Sequence, residues 1–355
     1  MQKVFDDAVQ AETFSGPSLF KAIKAELQPM SALANEYRRV TEVLGAKVAD
    51  HAFMGVVRTT FLIELVKTPK IETTKFEVRW AARLPEDDPR HACFDDCLQI
   101  CTNRMHDLAE AVVASEEKRK LITLFAEEKI VPYEVPLDYL ERRRDAQIHA
   151  SDNIGWFWDE VPAKAVRLRH HLLTEIEKGH REVFALAYDK IKVKTYLTDR
   201  VLTGTHKTNR EKRWETHPGS VHFARRRDCL DIERSLIEQV CKFDGFPMKL
   251  QTDLVALGLI ERPMDVSRCP ITMEPLSYSE FERELREPDH GKASFQVGHL
   301  NPLKAVNDDP RAGHTALNIS WVSANGNRIQ GSLSLDDTRG LIRRIAANYD
   351  KFKVR

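Results

Sequence analysis

The apolar residues of the first 190 positions recur mainly with the period of a helix. This spacing predicts helices over 17–48, 92–129, 137–150 and 162–190, with proline or glycine residues between them. The stretch 51–82 differs, because its β-branched and aromatic residues predict one or two strands. Two more helices are predicted over 228–242 and 249–260. The pattern indicates a mainly helical N-terminal region.

The segment 203–227 breaks this periodicity. It carries seven basic and two acidic residues, a local charge of +5, and contains Pro218 and Gly219. We interpret it as an exposed basic loop or hairpin. It is either ordinary solvated surface or an element that contacts phosphates, with Trp214 or Phe223 packing on a sugar or base. The candidate contacts are Lys207, Arg210, Lys212, Arg213, Arg225, Arg226 and Arg227.

Composition and charge narrow the class of protein. The chain has 355 residues, of which 42% are hydrophobic and 30% charged, as is typical of a globular protein of two or three domains. Its 54 acidic and 54 basic residues balance, so binding of a polyanion would depend on local clusters. The longest apolar run, 54–66, is interrupted by Arg58 and Glu64, and the first residues lack a signal-peptide core. We therefore expect a cytoplasmic protein with no membrane partner.

The six cysteines include no CxxC pair, and without an export signal this predicts free thiols. Cys93, Cys97 and Cys101 are spaced four apart, so a helix would place them on one face. They are either metal ligands, together with His91 or His106, or a small buried stripe. We favour the buried stripe, because cysteine is among the most buried residue types.

The residues that carry chemistry are concentrated in 292–331. Residues 294–297 and 318–323 alternate between apolar and polar positions, which predicts two strands, with Trp321 in the core. A polar loop containing Gly313 lies between them, and residues 325–328 can start a short helix. The predicted order is strand, loop, strand, helix.

A histidine ends the first of these strands, and asparagines lie on the second strand and on the helix. The neutral imidazole of His299 can take a proton from water near neutral pH. One divalent cation can neutralise charge on a scissile phosphate, and Mg²⁺ needs only one or two protein oxygens, which an asparagine can supply. These residue types in this order suit one-metal cleavage of a phosphodiester.

Three parts of this segment together resemble the HNH (ββα-metal) nuclease family. GHLNP at 298–302 is similar to the family's histidine before a proline, NISW at 318–321 to its "NI" step, and NRIQG at 327–331 to its "N-R-x-K-G" step. The resemblance covers about residues 268–345, roughly a fifth of the chain. It implies an α+β fold class, in which a mainly helical N-terminal region is followed by a C-terminal ββα-metal (HNH) nuclease module.

The resemblance also implies a role for each matched residue. His299 would be the general base that activates water. Asn318 would brace the loop through hydrogen bonds to the backbone, and Asn327 would bind Mg²⁺ or Mn²⁺. Arg328 and Lys304 are candidate phosphate contacts.

The segment departs from the family in two places. Many HNH sites have Asp or His immediately before the general base as a second metal ligand, and here that position is Gly298. The second ligand would then be His314, Asp308 or Asp309, although His314 also suits bracing of the loop. Many HNH domains have paired CxxC knuckles that bind zinc, whereas this segment has only Cys269, so no structural zinc is expected.

The whole plan resembles an HNH-type restriction endonuclease. We predict a recognition and dimerisation domain over 1–202, a basic segment with linking helices over 203–265, and the nuclease domain over 266–355. The implied function is Mg²⁺-dependent cleavage of double-stranded DNA by a homodimeric type II enzyme, specific for a sequence or a modification. The alternatives are a less specific nuclease of a mobile element or toxin, and a DNA-binding protein whose module no longer cuts.

Overall fold

The structure is a computed structural model that describes residues 1–11, 16–65, 75–81, 88–130, 158–198, 211–262, 265–289, 293–303 and 312–352. The chain forms two compact units, and each is built from two separate stretches. The first comprises Met1–Val166 and Tyr196–Arg227, and the second comprises Arg167–Thr195 and Asp228–Arg355. The three domain ranges that we expect from the sequence have bounds that differ from those of these two units. The predicted ranges stay a prediction.

The described residues are rich in helices and contain three two-stranded antiparallel sheets, so the fold class is α+β. In the first unit, β1 (Leu62–Leu65) pairs with β2 (Lys75–Val78), and β3 (Leu197–Thr198) pairs with β4 (Glu211–Lys212). A 3-10 turn, Arg213–Glu215, follows β4. The helices here are α1 (Gln2–Gln10), α2 (Gly16–Ala25), α3 (Ala32–Leu44), α4 (Ala46–Phe61), α5 (Phe94–Ala114) and α6 (Glu116–Glu127).

The helices predicted over 17–48, 92–129 and 162–190 are all interrupted in the structure. Ser31 starts α3 by accepting a hydrogen bond from the Ala34 N–H, and Ser115 starts α6 in the same way from Lys118. The prediction of one or two strands within 51–82 is confirmed by β1 and β2, whereas residues 51–61 of this stretch belong to α4. Val56 and Val57 are buried there, so packing overrides their preference for strands. The helix predicted over 137–150 lies outside the described residues.

The cysteine stripe lies on α5. Cys97 and Cys101 are fully buried in the hydrophobic core of the first unit, and burial raises the pKa of the Cys101 thiol. All six cysteines are free thiols. The part of the chain that the structure describes holds no group of three His, Cys, Asp or Glu residues able to bind a metal ion. Core packing accounts for Cys97 and Cys101, but the expectation of a buried stripe is wrong for Cys93, which is exposed as the N-cap of α5.

Helix α7 (Glu160–His170) leads from the first unit into the second, where a π-helical turn, His171–Glu175, follows it. Next come α8 (Lys178–Tyr196), α9 (Arg226–Val240), α10 (Met248–Ala256), α11 (Tyr278–Arg286), β5 (Phe295–His299), β6 (Ile319–Ser323), α12 (Ala324–Gln330) and α13 (Leu335–Phe352). Among the described helices, none combines the length and apolarity needed to cross a bilayer.

Strands β5 and β6 form an antiparallel pair in which His299 lies opposite Ile319. Trp321 on β6 is fully buried, and its indole N–H donates to the carbonyl of Leu236 on α9 at 2.9 Å. Gln239, one turn further along α9, accepts the Trp321 backbone N–H at 3.1 Å. These contacts fix the strand pair on α9. The predicted order strand, loop, strand, helix is confirmed.

Candidate active site

His299 is the last residue of β5 and is half-buried. Its Nε2 lies 3.2 Å from Nδ1 of His314, in the loop before β6. His314 is only 3% exposed, and its Nε2 lies 3.0 Å from the backbone carbonyl of Thr195 on α8. The two imidazoles therefore form a chain of hydrogen bonds that leads from the strand end to a helix outside the strand pair.

Asn318 immediately precedes β6 and is fully buried. Its Oδ1 accepts the Asn301 backbone N–H at 2.8 Å, and its Nδ2 donates to the Asn301 carbonyl at 3.1 Å and to the Gly313 carbonyl at 2.8 Å. One side chain thus holds both ends of the loop between the strands. All of its amide atoms are used in this bracing.

Asn327 lies on α12 with its side chain exposed. Its Nδ2 donates to Oε1 of Gln296 at 2.6 Å, which leaves Oδ1 as the acceptor of the amide. This oxygen faces β5, since it is 3.6 Å from the point that a Cβ on Gly298 would occupy. A hard cation that keeps most of its water needs only one or two such protein oxygens, so the group fits the role expected of it.

The position before His299 has little room for a side chain. A Cβ added to Gly298 would lie 3.2 Å from Cγ2 of Val322, closer than ordinary van der Waals contact. A side chain here would therefore require Val322 to shift by a few tenths of an ångström, whereas the 3.6 Å to the Asn327 oxygen is ordinary contact. Glycine avoids this shift at a position where many HNH sites have a ligand.

That His314 is a second metal ligand stays a prediction, and its contacts favour the other expectation, that it braces the loop. A metal ligand must present a ring nitrogen lone pair to the ion. Both ring nitrogens of His314 are instead at hydrogen-bonding distance from protein atoms, and the side chain is buried. The alternative, in which His314 braces the loop, agrees with these contacts. Asp308 and Asp309 lie outside the described residues.

Gln330 is a supporting residue that we did not identify from the sequence. It is buried at the end of α12, and its Nε2 donates to the carbonyls of His299, Leu300 and Leu333 at 3.1, 2.8 and 3.3 Å. It ties the strand end that carries His299 to the helix that carries Asn327. The sequence feature that could have identified Gln330 is its position three residues after Asn327. This spacing brings the two side chains close together on a helix.

In the described part of the basic segment, the prediction of an exposed loop or hairpin is wrong for Arg213 and Arg226. Both side chains are buried. Arg213 donates to the His222 carbonyl at 3.3 Å, and the guanidinium of Arg226 stacks on Trp214 at 4.5 Å from the ring centre. These contacts are internal to the first unit, so the two arginines support its structure as placed.

Lys212 is also engaged, because it forms an ion pair with Glu64. Burial would raise the pKa of Glu64, but Lys212 and Arg58 outweigh it and lower that pKa to about 2. Arg225 and Arg227 are exposed and remain candidates for contact with phosphates. Arg328 is exposed one residue after Asn327. The other basic candidates, Lys207, Arg210 and Lys304, lie outside the described residues.

Cys269, the lone cysteine of the segment, packs against the start of α12. Its Sγ accepts hydrogen bonds from the backbone N–H and hydroxyl of Ser323, both at 3.4 Å. Burial opposes ionisation, but hydrogen bonds from Ser323 and Thr272 outweigh it and lower the pKa of the thiol. A Cβ on Gly326 would lie 2.8 Å from the sulfur, so the glycine allows this close approach. That no structural zinc is bound here stays a prediction.

No family model matches this chain, and no curated protein matches it. Among solved structures, it is similar to one described as a type II restriction endonuclease, with a TM-score of 0.32 and 18% identity, over 51% of this chain and 83% of that chain. A likeness this weak does not establish a shared fold.

Proposed function

We propose that this protein is a DNA endonuclease of the HNH type that depends on Mg²⁺ or Mn²⁺, with a role like that of type II restriction endonucleases. The observation that carries the proposal is the arrangement at the end of β5. His299, the braced loop and Asn327 belong to one strand–strand–helix unit, and Asn318 and Gln330 hold its parts together. A general base and an oxygen ligand on one rigid frame are what one-metal hydrolysis of a phosphodiester needs.

Each residue has a defined part in this mechanism. His299 takes the proton from the attacking water with the lone pair of its neutral imidazole. Asn327 would hold the cation through Oδ1, while Gln296 keeps the amide turned in that direction. The cation, when bound, neutralises charge on the scissile phosphate and the leaving oxygen. Arg328, exposed beside Asn327, would contact a phosphate of the DNA backbone.

The proposed substrate is double-stranded DNA, and the proposed assembly is a homodimer in which two sites meet the two strands. Specificity for a sequence or a modification would come from the rest of the chain. The DNA fragments that are produced distinguish a restriction enzyme from a less specific nuclease. Discrete fragments with constant ends indicate a defined recognition site, whereas a smear indicates the less specific nuclease.

The test is cleavage of plasmid and phage DNA of known methylation with Mg²⁺, with Mn²⁺ and with a chelator, followed by mapping of the ends. We expect metal-dependent cutting by the wild-type protein and a loss of roughly 10²–10⁴-fold or more in His299→Ala. His171→Ala is the matched control, because His171 is a half-buried histidine of the same unit that bonds Glu175. Full activity in His299→Ala would overturn the mechanism, and binding without cleavage under every metal would favour the silent DNA-binding protein.

A further inference from the structure

The inference concerns His314, which is buried between His299 and the backbone of Thr195. We propose that His314 is a positioning residue that holds His299 in the tautomer with its proton on Nε2, so that Nδ1 faces the reaction. The importance of this tautomer for catalysis rests on the proposed function. The tautomer itself follows from hydrogen-bond geometry and can be measured without DNA.

The direction of the hydrogen bonds starts at Thr195. A backbone carbonyl can only accept, so Nε2 of His314 carries the hydrogen in the 3.0 Å contact. In a neutral ring, Nδ1 of His314 is then an acceptor. Nε2 of His299 must donate to it across 3.2 Å. The lone pair of neutral His299 is therefore on Nδ1, at the side of the ring turned away from His314.

This arrangement bears on catalysis because a base acts only from the nitrogen that carries its lone pair. A histidine in the wrong tautomer presents an N–H to the water and cannot take its proton. In the serine-protease triad, loss of the group that sets the tautomer lowers kcat about 10⁴-fold although the geometry is kept. His314 does not need to touch water or substrate for this role, since it acts through the orientation of His299.

The same contacts explain why His314 depends on a distant part of the chain. Thr195 is 119 residues earlier, near the end of α8, and belongs to the same compact unit. Its carbonyl fixes the His314 ring, which is 3% exposed and closely surrounded. The strand–strand–helix segment therefore contains His314 but lacks the carbonyl that fixes the His314 ring.

The experiment compares three variants of the full-length protein. In His314→Asn the side-chain oxygen can take the place of Nδ1 and accept from His299. In His314→Gln the amide reaches the place of Nε2, keeping a bond to Thr195 but not the acceptor for His299. His314→Leu removes both. Comparing the unfolding midpoints of the three variants shows whether each is folded, and His171→Asn is the control for a histidine change elsewhere in the unit.

The first readout is the ¹⁵N chemical shifts of the His299 imidazole in protein without metal. We expect the Nε2–H tautomer in the wild type and in His314→Asn, and a mixture in His314→Gln and His314→Leu. A wild-type His299 with its proton on Nδ1 would overturn the proposal. This measurement stands even if the protein proves not to cut DNA, which would contradict the proposed function separately.

The second readout is single-turnover cleavage over a range of Mg²⁺ concentrations. His314→Gln and His314→Leu should lose roughly 10²-fold or more in rate with an unchanged Mg²⁺ half-saturation, and His314→Asn should recover most of the loss. A rise in Mg²⁺ half-saturation of about tenfold or more in all three variants would identify His314 as a metal ligand instead. Wild-type rates in His314→Leu would show that His299 needs no positioning partner.

Discussion

Asn301 and Asn318 form a side-chain-to-backbone pair that closes the loop between β5 and β6. The Asn301 N–H donates to Oδ1 of Asn318 at 2.8 Å, and Nδ2 of Asn318 donates back to the Asn301 carbonyl at 3.1 Å. The Asn318 amide thus makes the same pair of hydrogen bonds to the Asn301 backbone that a neighbouring strand would make, at the point where the strand pairing stops. The loop that follows His299 begins from a fixed position for this reason.

Substitution of Asn318 should reduce stability strongly. In Asn318→Ala, the N–H and carbonyl of Asn301 and the carbonyl of Gly313 lose their buried partner, at a cost of about 2–4 kcal/mol in the free energy of unfolding. Asn318→Asp should cost more, because a carboxylate would face two carbonyl oxygens. Urea unfolding measures both, with exposed Asn325→Ala as the control. A loss below ~1 kcal/mol would contradict the bracing role.

Gln330→Ala should loosen the connection between the strand end that carries His299 and the helix that carries Asn327. The carbonyls of His299 and Leu300 lose a shared donor, so we expect a loss of about 1–3 kcal/mol in stability and a cleavage rate at least ~10-fold lower. Gln251→Ala is the control, because Gln251 also donates to one carbonyl, that of Cys241, at 2.6 Å within the same unit. Equal cleavage rates in the two variants would show that the tie does not serve the site.

The amide of Asn327 should control the metal dependence of cleavage. Asn327→Ala removes the oxygen and should abolish cleavage at ordinary Mg²⁺ concentrations. Gln296→Ala removes only the partner that turns the amide, so the Mg²⁺ half-saturation should rise roughly 10–100-fold while the maximal rate changes less. Titration of the cleavage rate with Mg²⁺ tests both changes. An unaltered half-saturation in Asn327→Ala would remove this residue from the metal site.

Exposed and buried arginines of the basic segment should respond differently to substitution. Charge reversal of exposed Arg225 and Arg227 should weaken DNA binding and reduce the slope of log affinity against log salt by up to about 2. Arg226→Ala removes a buried stack on Trp214 and should instead cost about 1–3 kcal/mol in stability. Fluorescence anisotropy at several salt concentrations and urea unfolding distinguish the two. An unchanged salt slope in the double reversal would assign the exposed pair to ordinary surface.

Glu211 should make the stability of the first unit depend on pH. Burial raises the pKa of this carboxyl to about 7 from its ordinary value of 4.5, Arg90 opposes the rise, and Glu215 and Glu77 add to it. The folded state therefore keeps a proton that the unfolded state has lost, so stability falls as pH rises from about 4.5 to about 7. The low pKa of Glu64, about 2, acts below this window. Burial also raises the pKa of Glu215, which adds to the fall with the same sign.

Glu211→Gln tests this prediction, because it removes the charge and keeps the shape. The free energy of unfolding of this variant should fall less steeply as pH rises. It should be close to that of the wild type near pH 5 and about 1–2 kcal/mol higher than that of the wild type near pH 8. Urea unfolding across this range gives the profile, and exposed Glu116→Gln is the control. A wild-type profile that does not fall in this window would show that the buried carboxyl is compensated by other groups.

The order of elements around the candidate site was readable from the sequence, whereas the roles of His299, Asn318 and Asn327 stay predictions. The alternation in 294–297 and 318–323 and the turn residues between them are local properties, and β5, β6 and α12 form where they predict. His299, Asn318 and Asn327 could be proposed as candidates because their segment is continuous and its spacing resembles a known motif. Even the burial of Trp321 followed from its place in an alternating strand.

The partners of those residues depended on folding. The Trp321 N–H bonds Gln239, 82 residues earlier, and His314 bonds Thr195 across 119 residues, distances at which no periodicity relates two positions. The prediction that Arg213 and Arg226 are exposed is wrong for a similar reason. Both side chains pack against groups that the local sequence does not reveal. Local spacing sets which face a side chain occupies. Burial and hydrogen-bond partners are set by the segments that packing brings against that face.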